Sequence, residues 1–339
     1  MRQSGLFIIL VYSHKEVGMS RMHIDHAEIA NFAERKVNLQ ENKADKYRAQ
    51  VQRLSERLDN HLAEHPDFAL KRMMLAGSLA NGTALRSIES IDVACYIDSG
   101  EAPHDIAALL NYLAEHLCQV FPSVNPERIK PQTYSVMITF FGYGLDVRVL
   151  PILYDDSAQW DGNLVSQEDG ALLRTNIPLH IEFMRKRKDA QETHFVQVVR
   201  LVKSWVQNVE SKCAKFSFKS FMVELILAYL CDQGMDFSDY PEALKEFFHY
   251  VARSNMRERI VFADYYDPLI VDPLPGPVQI IDPVNPKNNV GRLCANEEAD
   301  AIVDAARVAE DEIDLAWSEP TKESTAYYWQ KVFGSPFKG

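Results

Sequence analysis

Gly77-Ser78-Leu79-Ala80-Asn81-Gly82-Thr83, followed by the apolar run Ile91 to Ile97 with Asp92 inside it, is the stretch on which the fold turns. A short Gly-Ser turn feeding an acidic strand is one way to hold a nucleoside triphosphate. Backbone N–H groups and a hydroxyl take the phosphates, and carboxylates take the metal. The chemistry such a turn serves is nucleotidyl transfer. It is not a Walker loop, because the Gly-Lys-Ser/Thr ending is absent.

Shared metal ions need carboxylates two apart, since side chains at i and i+2 leave the same face of a strand. Two before Asp92 stands Ser90, a hydroxyl that can touch a metal without neutralising it. Glu89 lies three residues from Asp92 and faces the other way unless the strand bulges. The second acidic candidate is Asp146, in Gly144-Leu145-Asp146-Val147-Arg148-Val149-Leu150-Pro151. In an extended strand it shares a face with Arg148, which would repel a metal in its own place or bind phosphate beside one. A salt-bridged strand end is the plain structural alternative.

Around this stretch the chain reads as an α/β lobe followed by a helical lobe. One long helix is expected from about Ile24 to Leu62, stopped at His65-Pro66, with Val51, Leu54, Leu58 and Leu62 on its inner face. Strands are expected at 73–76 and 91–97, a helix at 104–120, and a strand pair at 135–141 and 145–153 joined through Gly142-Tyr143-Gly144. Helices are expected at 193–210, 217–232, 241–255 and 297–316. The Pro-rich stretch Asp267 to Pro286 should be irregular.

The 339 residues, 47% hydrophobic and 25% charged, suit a folded soluble protein of two domains or two lobes around a cleft. A net charge of -12 argues against bulk binding of nucleic acid or anionic membrane. The five cysteines form no C-x-x-C pair and read as core thiols of a reducing cytoplasm. The histidines have no zinc-ligand spacing. Residues 1–22, including Leu6 to Tyr12, read as an extension outside the fold, with a buried strand as the alternative, and no segment is long enough to span a membrane.

Arg185-Lys186-Arg187-Lys188 reads as a solvated helix end. Lys203, among apolar residues of a helix expected to wall the cleft, needs an anion, and a triphosphate is one. Ser220-Phe221 opens the apolar helix Phe221 to Leu227, where the aromatic either packs in the core or stacks on a base.

Taken in order, GSLANGTAL (77–85), IDVACYI (91–97), GLDVRVLPIL (144–153), RTNIPLHIEFMRKRKDAQETHFVQVVRLVKSW (174–205) and IIDPVNPKNNV (280–290) resemble a known family. It is that of the bacterial cGAS/DncV-like nucleotidyltransferases, the CD-NTases of CBASS anti-phage defence, relatives of oligoadenylate synthase. The resemblance implies an α+β fold with a polymerase-β-like nucleotidyltransferase core, residues 23–175 including the N-terminal helix, and a helical C-terminal lobe, residues 176–339. It implies Mg²⁺, with Mn²⁺ as a substitute, and ATP or other nucleoside triphosphates. By position Gly77 and Ser78 match the phosphate turn, Asp92 the second carboxylate, Lys203 a phosphate-binding lysine and Ser220-Phe221 the pair beside the base. Ser90 stands at the first carboxylate, and the third falls at Asp146 or, counting back from Pro151, at Arg148.

The function so implied is synthesis of a cyclic or linear oligonucleotide second messenger by a cytoplasmic enzyme. Asp92 and Asp146 would hold metal and catalyse, and regulatory and effector proteins encoded nearby would be its partners. The competing expectation is a degenerate member that binds nucleotide or protein without turnover. A further one is transfer of a nucleotide onto a protein or small molecule.

Overall fold

The computed structural model describes residues 23–65, 68–103, 105–140, 146–154, 159–166 and 169–339. The expected N-terminal extension, the Pro66 helix stop and the Gly142-Tyr143-Gly144 turn lie outside the described residues. Among the described residues the α-helices are α1 (His26–Phe32), α2 (Glu41–Glu64), α3 (Gly77–Ala80), α4 (Ile106–Val120), α5 (Ile177–Ala190), α6 (Glu192–Glu210), α7 (Ser220–Asp232), α8 (Tyr240–Ser254), α9 (Asn296–Ser318) and α10 (Lys322–Phe333). The strands among the described residues are β1 (Leu70–Leu75), β2 (Ser90–Asp98), β3 (Ile129–Pro131), β4 (Val136–Thr139), β5 (Asp146–Tyr154), β6 (Gly162–Val165) and β7 (Leu172–Thr175).

The strands form one mixed sheet in the order β1-β2-β5-β4-β3, with β6 joined to β5 and β7 to β6. β2 and β5 pair in parallel at its centre. Both are apolar runs interrupted by charge at their starts, so alternation decides what each face carries. Ile91, Val93, Cys95 and Ile97, with Val147, Val149 and Leu153, join a core that α2 and α4 cover through Val51, Leu54, Leu58, Leu110, Leu113 and Leu117. The opposite face carries Ser90, Asp92, Asp146 and Arg148.

A second, larger core is helical and holds Phe195, Val199, Trp205, Val223, Leu227, Phe247, Ile302 and Trp329. Ile24, Ile29, Phe32 and Val37 pack into it too, although they precede the sheet in sequence. This explains why the single helix expected over 24–62 is broken. α1 runs into a π-helical turn at Ala33–Val37, and the chain then opens before α2. Asn38, at the break, pairs with Leu85 and exchanges amide hydrogen bonds of 2.7 and 3.0 Å with Gln197 of α6. The Pro-rich stretch is irregular as expected, apart from a 3₁₀ turn at Pro268–Ile270. All five cysteines are free. Cys95 and Cys294 are buried, whereas Cys213 is exposed and so is no core thiol. No helix among the described residues is long and apolar enough to cross a membrane.

Candidate active site

The register of β2 on β5 sets Ser90 beside Asp146 and Asp92 beside Arg148, with no slip along the pair. All four are half-buried on one face. Arg148 Nη1 donates to Asp92 Oδ1 at 3.3 Å, so a guanidinium occupies one oxygen of the central carboxylate. Asp146 stands diagonally from Asp92, one step nearer the start of the strands. Glu89 is exposed, immediately before β2. Burial pushes the Asp92 carboxyl above its ordinary value, and Arg148 pulls it part of the way back.

Directly over this carboxylate lies the Gly-Ser turn. Gly77 has φ +62°, and a Cβ there would fall 2.5 Å from Asp92 Oδ2, so both the backbone and the space require glycine. Ala76 N–H donates to the Asp92 carbonyl at 2.9 Å, and Thr83 N–H donates to the Ser78 carbonyl at 2.8 Å. The turn therefore sits between the strand that carries Asp92 and a buried polar group below it.

That group contains Lys203. Its Nζ donates to Glu224 Oε1 and, at 2.9 Å, to Thr83 Oγ1. Lys203 and Glu224 are each only 4% exposed. Thr83 Oγ1 also donates to Glu224 Oε1 at 2.5 Å, and Asn81 Nδ2 to Oε2 at 3.1 Å. Two of the three Lys203 protons are thus engaged, and its anion in this structure is a glutamate of α7. Beside it, Arg200 reaches the Gly82 carbonyl through Nε at 2.9 Å and Nη2 at 2.5 Å. The sequence reading placed Arg200 in a basic cluster with Lys203 but gave no role to Glu224 or Thr83. A lone glutamate in Phe-Met-Val-Glu-Leu-Ile-Leu signalled Glu224 just as the apolar surroundings signalled Lys203.

Ser220 opens α7, and Phe221 is half-buried against the helical core with its ring edge-to-face with His180, 5.7 Å between centroids. His180 Nε2 lies 2.9 Å from Asp282 Oδ1, which also accepts from Val284 and Asn285 N–H groups at 2.8 and 3.2 Å. Burial opposes a charged imidazole here, but the Asp282 carboxylate outweighs it and raises His180 above its ordinary value, while Asp282 is held below its own. Arg187 corrects the reading of 185–188 as a solvated helix end. It is buried, forked onto Asp264 at 2.8 and 2.7 Å, bonded to Asp232 and stacked on Phe183.

Among the described residues no three His, Cys, Asp or Glu side chains gather as a metal cluster. Asp92 and Asp146 share a face and are the carboxylates that could hold a divalent cation there, and Arg148 takes one oxygen of Asp92 in this structure. Two cations exceed this donor set, because Ser90 is neutral and Arg148 positive.

No protein-family model matches the chain. It is 54% identical over 321 residues, 95% of this chain and 100% of the relative, to the cyclic AMP-AMP-AMP synthase of Escherichia coli strain MS 115-1. It is 30% identical over 323 residues, 94% of this chain and 98% of the relative, to the CBASS oligonucleotide cyclase CdnC of E. coli strain KTE188. Among solved structures, E. coli MS115-1 CdnC with ATP superposes at TM-score 0.92 with 55% identity, over 94% of this chain and 100% of that one. The same protein in its CdnC:HORMA-deltaN complex gives TM-score 0.90 with 53% identity, over 94% and 99%.

Proposed function

The chain belongs to the CD-NTase family, among the CBASS oligonucleotide cyclases, and from that premise we propose that it joins nucleoside triphosphates into an oligonucleotide second messenger in anti-phage defence. The observation that carries this reading is the Gly77-Ser78 turn fitted onto Asp92, in a chain aligned along its length with a synthase. Gly77 and Ser78 hold the triphosphate through backbone N–H groups and the hydroxyl, and Phe221, with Ser220 beside it, takes the base. Asp146 accepts the proton of the 3′-hydroxyl as its oxygen bonds to the α-phosphorus of a second nucleoside triphosphate, the α–β phosphoanhydride breaks and pyrophosphate leaves. A divalent cation, Mg²⁺ or in its place Mn²⁺, would be held by Asp92 and Asp146 and would supply positive charge to the transferring phosphoryl group. ATP is the first substrate to examine, since the 54% identical relative is a cyclic AMP-AMP-AMP synthase. A HORMA-type regulatory protein is the partner to try, as the CdnC:HORMA-deltaN structure is of a chain 53% identical.

Arg148 on Asp92 specifically favours a second reading, a degenerate member that holds nucleotide without turnover. Incubation with radiolabelled ATP, GTP, CTP and UTP, with Mg²⁺ or Mn²⁺ and with a HORMA partner, decides between them when run beside calorimetry of ATP binding. A phosphatase-resistant product supports synthesis, and product identification separates it from transfer onto another molecule. ATP binding that is indifferent to Mg²⁺, with no product under any condition, supports the degenerate reading.

A further inference from the structure

We propose that Arg148 is a catalytic residue: its guanidinium holds the α-phosphate oxygens of the reacting nucleotide and does the work that a second divalent cation would otherwise do. This role presupposes the synthesis proposed above. Arg148 stands beside Asp92 on the carboxylate face, and its neighbour across β4, Met137, is uncharged. Its bond to Asp92, from Nη1 at 3.3 Å, is long and single. A guanidinium that serves structure looks different in this chain, since Arg187 is buried, forked onto Asp264 at 2.8 and 2.7 Å and bonded to Asp232. The Arg148 side chain is 34% exposed, and among the described residues its Nε and Nη2 have no hydrogen-bond partner.

The other cations at the Gly-Ser turn are already engaged. Lys203, 4% exposed, donates to Glu224 and Thr83, and Arg200 places Nε and Nη2 on the Gly82 carbonyl. Of these three, Arg148 is the one with open donors on the face that carries Asp92. Charge points the same way. With both carboxylates ionised, Asp92, Asp146 and Arg148 carry one net negative charge, which a single divalent cation turns to one positive and a second to three positive. Two cations beside a fixed guanidinium would repel it and each other more than two carboxylates offset. One cation and one guanidinium instead supply positive charge to the phosphoryl group from two sides. As the 3′-oxygen bonds to the α-phosphorus and the α–β anhydride breaks, the planar fork takes the oxygens on which charge builds. Arg148 neither gains nor loses a proton in this step.

The test uses the full-length chain and an ATP analogue with a methylene group bridging the α- and β-phosphorus, which cannot release pyrophosphate. Electron paramagnetic resonance counts the Mn²⁺ bound per chain at saturating analogue, and calorimetry without metal gives affinities for the analogue and for adenosine. A single Mn²⁺ on the wild-type chain is expected, against two on Ser90→Asp/Arg148→Asp. Arg148→Met should weaken metal-free binding of the analogue at least tenfold and leave adenosine unchanged, with Arg148→Lys in between, and should lower nucleotide incorporation at least a hundredfold. A wild-type count other than one, unchanged analogue affinity in Arg148→Met, or parallel loss of adenosine binding overturns the role. Product from wild type with Arg148→Met equally active overturns it too and leaves the synthase reading standing. A wild type that makes no product removes that reading and the catalytic role with it, and the metal-free affinities then report a phosphate contact alone. Arg148→Gln carries the same comparison if Arg148→Met does not fold.

Discussion

Lys203 and Glu224 make a buried charge pair whose value is easily misjudged. Removing one partner strands the other, at a cost of about 3–5 kcal/mol, whereas replacing both by apolar groups is close to neutral. Glu224→Gln should therefore destabilise the chain by about that amount in urea titration. Lys203→Met/Glu224→Leu should recover most of it, and additive losses would show that the two side chains do not act as a pair. At the carboxylate face, Ser90→Asp with Arg148→Asp sets acids beside Asp146 and Asp92 in the observed register. The double variant should bind ATP more tightly with Mg²⁺ than without, and incorporate nucleotide at least ten times faster than wild type, each single variant doing less. A wild type already as fast as the double variant would mean that Asp92 and Asp146 suffice.

The turn between β1 and β2 is where element geometry is least forgiving. Gly77 and Gly82 both have positive φ, +62° and +72°, but a Cβ at Gly82 meets only Val196 at 3.9 Å. Gly77→Ala and Gly82→Ala should each cost roughly 1–3 kcal/mol of backbone strain, yet only Gly77→Ala should abolish ATP binding in calorimetry, because its methyl displaces Asp92. Equal ATP affinity in both variants would separate the turn from the carboxylate. Much of this element was legible in the sequence, since the Gly-Ser spacing and Asp92 in an apolar run are local signals. The register was not. Whether Arg148 or Asp146 faces Asp92 depends on pairing between strands more than fifty residues apart, which no local pattern encodes. The break at Asn38 escaped for the same reason, as its partners Leu85 and Gln197 are distant in sequence. β6 and β7, of four residues each, are too short to show alternation. α10 conceals its buried Trp329, Val332 and Phe333 in a polar segment.

In the whole molecule, a buried ion pair inside the helical lobe shapes how stability responds to pH. His180 on α5 clamps the irregular segment after Ile281 through Asp282. Its raised value means that the pair's contribution is complete below the ordinary imidazole value and is lost as pH rises through the raised one. The depressed Asp282 contribution is lost at the acid end instead, as pH falls through its lowered value. The melting temperature should therefore fall as pH rises from about 5 to about 8, and His180→Gln/Asp282→Asn should flatten the profile. An unchanged slope would place the titration elsewhere. The contacts under the Gly-Ser turn carry a different consequence, for traffic through the cleft. Thr83 and Asn81 belong to the sheet lobe, Lys203 and Glu224 to the helical lobe. Swinging the lobes apart would break these three hydrogen bonds and leave Lys203 and Glu224 to water, so the junction opposes a wide opening. Nucleotide is then expected to enter, and product to leave, past the rim of a cleft already formed rather than through a hinged opening of the two lobes.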